Sequence, residues 1–214
     1  TPKPSSAASD VYKRQLYELY VNGEKQGNEC LLPGFCDYDS WIQYQTYELQ
    51  FKAGKNRVEV LLGDGWYKGV YGMRTLVENY GDRLAALAEI HVWYEDGTEE
   101  IIGTDTEWNA RKSQIVENGI YSGEVYDATV DTSETFGTEL IDLGYERLNP
   151  RLSPAIIVHE KIQPIEVIHT PTGETVLDMG QNMVGWLQFH SKAPKGSKLF
   201  FQFGEILQDG NFYN

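Results

Sequence analysis

Leu16-Tyr17-Glu18-Leu19-Tyr20-Val21-Asn22-Gly23 is the stretch on which the fold turns. Tyr17, Leu19 and Val21 alternate with Glu18 and Tyr20, the period of two that marks a strand with one buried face. Asn22-Gly23 then supplies residues that accept the positive φ angles of a two-residue hairpin turn. The same grammar repeats outward. Leu31-Leu32-Pro33-Gly34 reads as a loop, since proline cannot donate to a ladder. Gln45, Tyr47, Leu49 and Phe51 share one face of a second strand, and Ala53-Gly54-Lys55-Asn56 turns the chain into Val58, Val60 and Leu62. Ala88, Ile90, Val92 and Tyr94 alternate before an Asp96-Gly97 turn, with a partner strand from Glu99. Residues 108–112 and 124–130 extend the series. No segment carries a convincing helical stripe, so the expected class is all-β, an antiparallel jelly-roll or β-sandwich.

Three regions are expected. Residues 1–15 lack hydrophobic periodicity, and Asp10-Val11-Tyr12-Lys13-Arg14-Gln15 is what one frame of a sequencing-library adapter would encode. That stretch is set aside as a non-native leader. Residues 16–150 form the first domain. Pro150 and Pro154 flank Arg151 in a linker-like segment, and residues 151–214 open a second β-sandwich. There, strands are expected over 162–168, 176–179, 184–190 and 198–203. Too few strands remain to close that sandwich, so it is expected to be truncated.

Bulk properties narrow the partners. Of 214 residues, 41% are hydrophobic, which allows a packed core. The 32 acidic against 18 basic residues make a formal charge of −14, which repels phosphate backbones and anionic lipid. Nucleic acid and membrane surfaces are therefore not expected partners. Cys30 and Cys36 are read as two free thiols, and His91, His159, His169 and His190 are scattered without metal-ligand spacing.

Beyond the strand pattern, several strings in order resemble one family. They are residues 16–23 quoted above, Leu32-Pro33-Gly34-Phe35-Cys36-Asp37-Tyr38, Leu62-Gly63-Asp64-Gly65-Trp66-Tyr67-Lys68-Gly69 and Asn79-Tyr80-Gly81-Asp82-Arg83-Leu84-Ala85. Gly123-Glu124-Val125-Tyr126-Asp127-Ala128, Asp178-Met179-Gly180-Gln181-Asn182-Met183-Val184-Gly185-Trp186 and Phe203-Gly204-Glu205-Ile206-Leu207 complete the set. Together they resemble the bacterial α-L-rhamnosidases of the inverting, multi-domain kind. Two departures stand out: Cys36 follows Phe35 where a Trp-Thr-like pair is expected, and residues 132–154 are shorter than the family pattern.

The resemblance implies an N-terminal jelly roll followed by the start of another sandwich. It implies a parent enzyme that hydrolyses terminal α-L-rhamnosides by inversion, without an organic cofactor, in a downstream (α/α) barrel. This piece lacks that barrel, so no catalytic residue is assigned within it. The expected partners are L-rhamnose-containing glycans and the missing downstream domains of the same chain. In some members a related module binds rhamnose with the help of calcium. The compartment stays open between cytoplasm and a secreted or periplasmic location.

Sugars present C–H faces to aromatic rings and hydroxyls to polar side chains, so a sugar site needs both together. Asp64, Trp66 and Tyr67 in one loop, with Asn79, Asp82 and Arg83 in another, meet that composition. The alternative is that Trp66 and Tyr67 plug the end of the sandwich while Asp82 and Arg83 pair or cap turns. For calcium, which takes six to eight oxygen ligands, Asp37, Asp64 and Asn79 are the candidates, with Asp39 and Asp82 also available. Three readings remain: an enzyme's accessory fragment, a stand-alone carbohydrate-binding module, and a ligand-free spacer.

Overall fold

The computed structural model describes the backbone of residues 4–13, and residues 16–70, 72 and 76–213 in full. The chain forms two compact units, Thr1–Val158 and His159–Asn214. In the first, the described strands are β1 (Pro4–Lys13), β2 (Leu16–Val21), β3 (Glu24–Lys25), β4 (Ile42–Leu49) and β5 (Val58–Gly63). After the one-turn helix α1 (Gly65–Lys68) come β6 (Ala86–Tyr94), β7 (Glu99–Gly103), β8 (Asn109–Arg111) and β9 (Ile115–Gly119). Then follow β10 (Gly123–Tyr126), β11 (Thr135–Gly137) and β12 (Leu148–Pro150).

A five-stranded sheet in the order β12-β4-β1-β6-β7 and a three-stranded sheet β3-β2-β5 carry the core. Alternation along β2 buries Tyr17, Leu19 and Val21. These pack with Leu32, with Leu49 from β4, and with Ala88, Ile90 and Val92 from β6. The period-two pattern thus places apolar residues of two sheets against each other, as a sandwich requires. Asn22 and Gly23 take φ of 53° and 83°, the left-handed pair that the β2–β3 turn needs.

Four features of the structure bear on these expectations. First, the backbone of Pro4–Lys13, inside the stretch expected to be a non-native leader, runs in the larger sheet paired antiparallel with both β4 and β6. Ladder hydrogen bonds are made by backbone amides and carbonyls, so a segment without hydrophobic alternation still pairs. Second, the segment around Pro150 is no free linker. β12 pairs with β4 in parallel, the one parallel contact of that sheet, and the Cys30 N–H donates to the Ile156 carbonyl at 2.8 Å. The boundary of the compact unit accordingly falls after Val158. Third, the strand expected over 124–130 ends at Tyr126. The Asp127 carboxylate accepts from the Thr129 N–H at 2.8 Å and hydroxyl at 2.6 Å, an Asx turn that bends the chain out of the ladder.

The fourth feature lies in the second unit. Its described strands are β13 (Glu166–His169), β14 (Thr175–Asp178), β15 (Ile206–Gln208) and β16 (Asn211–Tyr213), arranged as two separate hairpins. Residues 184–190 and 198–203 carry strand composition but form no strand. A strand persists only beside a partner, and none among the described residues lies against them. Their apolar side chains are left on the surface: Val184 is fully exposed, and Phe200, Trp186 and Phe203 are mostly so. Phe189 and Phe201 meet with ring centroids 4.9 Å apart.

On the surface of β6, His91 sits between two carboxylates, with Nδ1 2.8 Å from Glu99 and Nε2 2.7 Å from Glu89. Its ring stacks on Trp93 at 5.7 Å. The hydrogen bonds to Glu99 and Glu89 raise its pKa above the ordinary histidine value of 6.5. A raised folded-state pKa stabilises the fold fully below the unfolded value and loses that contribution as pH climbs through the folded value. NMR titration of the His91 ring is expected to show a midpoint above 6.5, moving back toward 6.5 in Glu99→Gln. An unshifted wild-type midpoint would refute the bridge.

Candidate functional site

The loop that sequence singled out is an aromatic plug. α1 places Trp66 and Tyr67 on consecutive positions, and they part company there. Tyr67 is buried, edge-on to Tyr38 at 5.6 Å and stacked on Tyr80 at 6.3 Å. Tyr38 and Tyr80 also meet edge-to-face at 5.1 Å. Trp66 is half-buried, edge-on to Phe35 at 5.9 Å. With Cys36, Ile42, Trp41 and Leu148 these rings form a second apolar cluster. Burial pushes the Cys36 thiol up to about 11, which keeps it protonated and unreactive near neutral pH. Both cysteines are free.

The neighbouring loop is locked onto the plug by backbone. The Glu78 N–H donates to the Lys68 carbonyl at 2.9 Å, and the Tyr80 N–H to the Tyr67 carbonyl at 3.2 Å. A Cβ on Gly81 would lie 2.1 Å from the Tyr67 hydroxyl, so only glycine passes there. Asn79, Asp82 and Arg83 are exposed on this loop. Asp64 receives the loop from the other side: its N–H donates to Asn118 Oδ1 at 2.7 Å, and its carboxylate lies 3.8 Å from Lys68 Nζ.

Two of the calcium candidates hold local contacts. Asp37 accepts from the Asp39 N–H at 3.2 Å and the Ser40 hydroxyl at 2.6 Å, closing a turn. Asp64 faces Lys68, and among the described residues no three His, Cys, Asp or Glu side chains gather into a metal-holding group.

A cavity of about 310 Å³ elsewhere in the first unit was not foreseen. Glu29, Tyr44, Gln45, Tyr47, Pro150 and Arg151 line it. Arg151 forms an ion pair with Glu29, and its Nε donates to the Ser153 carbonyl at 2.8 Å. Beneath, the Tyr17 hydroxyl donates to Gln45 and lies 2.9 Å from the Tyr47 hydroxyl. Burial first, then the neighbouring Tyr47, push the Tyr17 phenol far above its ordinary range, so this floor is a neutral hydrogen-bonding network. No local pattern foretells the site. Glu29 and Arg151 stand 122 residues apart, and only the return of the chain along β12 joins them. Strand β4 contributed the sole legible hint, since Gln45 and Tyr47 were expected to share a face.

Comparison with known proteins bears on both regions. Residues 5–169 match the α-L-rhamnosidase N-terminal domain, and residues 168–214 match the bacterial α-L-rhamnosidase concanavalin-like domain. The chain belongs to the α-L-rhamnosidase family. A curated α-L-rhamnosidase of Streptomyces avermitilis is 32% identical over 212 residues, covering 92% of this chain and 20% of the relative. One from Formosa agariphila is 28% identical, covering 84% and 21%. Among solved structures, the native α-L-rhamnosidase of Aspergillus terreus superposes with a TM-score of 0.78 at 29% identity, over 86% of this chain and 23% of that one. The Streptomyces avermitilis enzyme complexed with L-rhamnose gives 0.69 at 31% identity, over 85% and 19%.

This rhamnosidase chain thus spans about one fifth of the length of the curated relatives it matches. Its described residues are almost entirely strand and loop, with α1 the one helix among them. No described helix is long and apolar enough to cross a membrane.

Proposed function

We propose that this chain is an N-terminal accessory part of an α-L-rhamnosidase whose parent hydrolyses terminal α-L-rhamnosides by inversion, and that these residues do not themselves perform the hydrolysis. The observation that carries the reading is the pair of consecutive family matches, N-terminal domain then concanavalin-like domain, over only a fifth of the relatives' length. The purified chain is expected to leave an aryl α-L-rhamnoside uncleaved, and turnover at a rate typical of a glycosidase would overturn the assignment.

A carbohydrate-binding role within that accessory part is the second reading, and the Glu29–Arg151 cavity favours it. About 310 Å³, two tyrosines and a charged pair suit one monosaccharide. The loop candidates Asp64, Trp66, Tyr67, Asn79, Asp82 and Arg83 are the competing site. Calorimetric titration with L-rhamnose, with and without calcium, separates the two. Binding lost in Arg151→Ala supports the cavity, binding lost in Trp66→Ala supports the loop, and flat heats from a folded sample leave a spacer.

A further inference from the structure

Residues 150–157 leave the first compact unit as a strap tied down along its length. β12 pairs with β4 as far as Pro150, level with Tyr44. Arg151 then forms an ion pair with Glu29, and its Nε donates to the Ser153 carbonyl at 2.8 Å. Gln43 Oε1 accepts from the N–H groups of Leu152 and Ser153 and from the Ser153 hydroxyl. Further on, the Ile156 carbonyl accepts the Cys30 N–H at 2.8 Å, and Ile157 bridges to Glu29 through the backbone. Glu29 thus holds the strap twice, by its carboxylate at one end and by its main chain at the other.

These ties are polar. Leu152, Ile156 and Val158 are exposed, so little apolar surface is buried with the strap. Segments with few buried apolar contacts open locally, at less free energy than global unfolding requires. The strap can therefore open while the two sheets, closed on Leu19, Leu49 and Ile90, stay packed.

The same residues build the Glu29–Arg151 cavity. Pro150 and Arg151 form one wall, Glu29 another, and Gln45 and Tyr47 come from β4. Opening the strap carries Arg151 away, so the cavity loses a wall and the charge that balances Glu29. A ligand seated there meets its full set of contacts only when the strap is closed. Such a ligand shifts the balance between the two states by its differential affinity for them.

We propose that residues 150–157 are a ligand-controlled strap: a neutral monosaccharide in the Glu29–Arg151 cavity binds the closed strap alone, and so fixes the segment by which the chain leaves its first compact unit. This role rests on the carbohydrate reading of the cavity. Glu29 is the relay, since it lines the cavity and holds both ends of the strap. A neutral sugar suits the site because Glu29 and Arg151 cancel each other's charge.

The test follows trypsin cleavage after Arg151 in the whole 214-residue chain during a titration with L-rhamnose, the fragments being identified by mass. Cleavage proceeds from the open strap, so a ligand of the closed one slows it by the factor 1 + [L]/Kd. At about ten times the calorimetric Kd, cleavage after Arg151 is expected to slow about tenfold, while the same trypsin hydrolyses a small arginine ester unchanged. Hydrogen exchange is expected to slow alongside it at the amides of Cys30, Leu152 and Ser153, and not at Thr98 in the β6–β7 turn. In Glu29→Ala, cleavage is expected to start faster and to lose its response to the sugar. Heats of binding without protection of Arg151 would overturn the strap's role and leave the carbohydrate reading in place, with the sugar seated elsewhere. Flat heats with unchanged cleavage would remove the carbohydrate reading, and the strap's role with it.

Discussion

Leu19→Ala is expected to destabilise the first compact unit by about 2–5 kcal/mol, the range for truncating a buried leucine that leaves a cavity. Leu19 is 1% exposed at the middle of β2. It faces a core built from Leu49 of β4 and Ala88, Ile90 and Val92 of β6. Neighbours on both sheets are tied into ladders, so they cannot collapse into the space left behind. For a unit of this size, each kcal/mol lowers the melting temperature by about 2–4 °C. Urea unfolding followed by tryptophan fluorescence measures the change. Glu18→Ala, on the opposite face, is the internal reference and is expected to stay within about 0.5 kcal/mol. Similar losses for the two variants would show that β2 does not present its odd-numbered residues to the core.

Gln43→Met is expected to release the segment that follows β12. Gln43 is wholly buried, and its Oε1 accepts the N–H of Leu152 at 3.0 Å, the N–H of Ser153 at 3.2 Å and the hydroxyl of Ser153 at 3.1 Å. Methionine keeps the volume and removes the acceptor. A buried donor left unsatisfied costs about 1–3 kcal/mol; Leu152 is largely exposed and the Nε2 of Gln43 has no partner of its own, so the net loss is about 1–3 kcal/mol. Because the three donors lie on one short segment, the damage is local. Trypsin cleavage after Arg151 is expected to speed up at least tenfold while the unfolding midpoint of the β-sheets shifts less than in Leu19→Ala. Unchanged cleavage would mean that the Arg151–Glu29 pair, not Gln43, holds the segment.

These two residues also mark the limits of reading the chain. Leu19 was legible because a strand's side chains alternate with a period of two, and that period is written in consecutive residues. The same rule recovered β2, β4, β5 and β6 and the Asn22-Gly23 and Asp96-Gly97 turns. Gln43 was not legible. A polar residue in a strand is ordinarily read as exposed, and its partners lie 109 and 110 residues away. The aromatic loop falls between the two. Its composition pointed to rings and polar groups together, but composition does not say that Tyr67 turns inward onto Tyr38 and Tyr80 while Trp66 remains half-buried.

By itself, then, the sequence determined the all-β class, the strands β2, β4, β5 and β6 and the family, since these rest on local periodicity and on strings of neighbouring residues. Only the tertiary structure decided that residues 4–13 stand at the centre of a sheet, that the Pro150 segment is stitched to β4, and that Glu29 meets Arg151 over a cavity. Each of these depends on backbone pairing or on charges brought together from distant parts of the chain. Backbone pairing is indifferent to side-chain pattern, and long-range contact leaves no trace in local spacing.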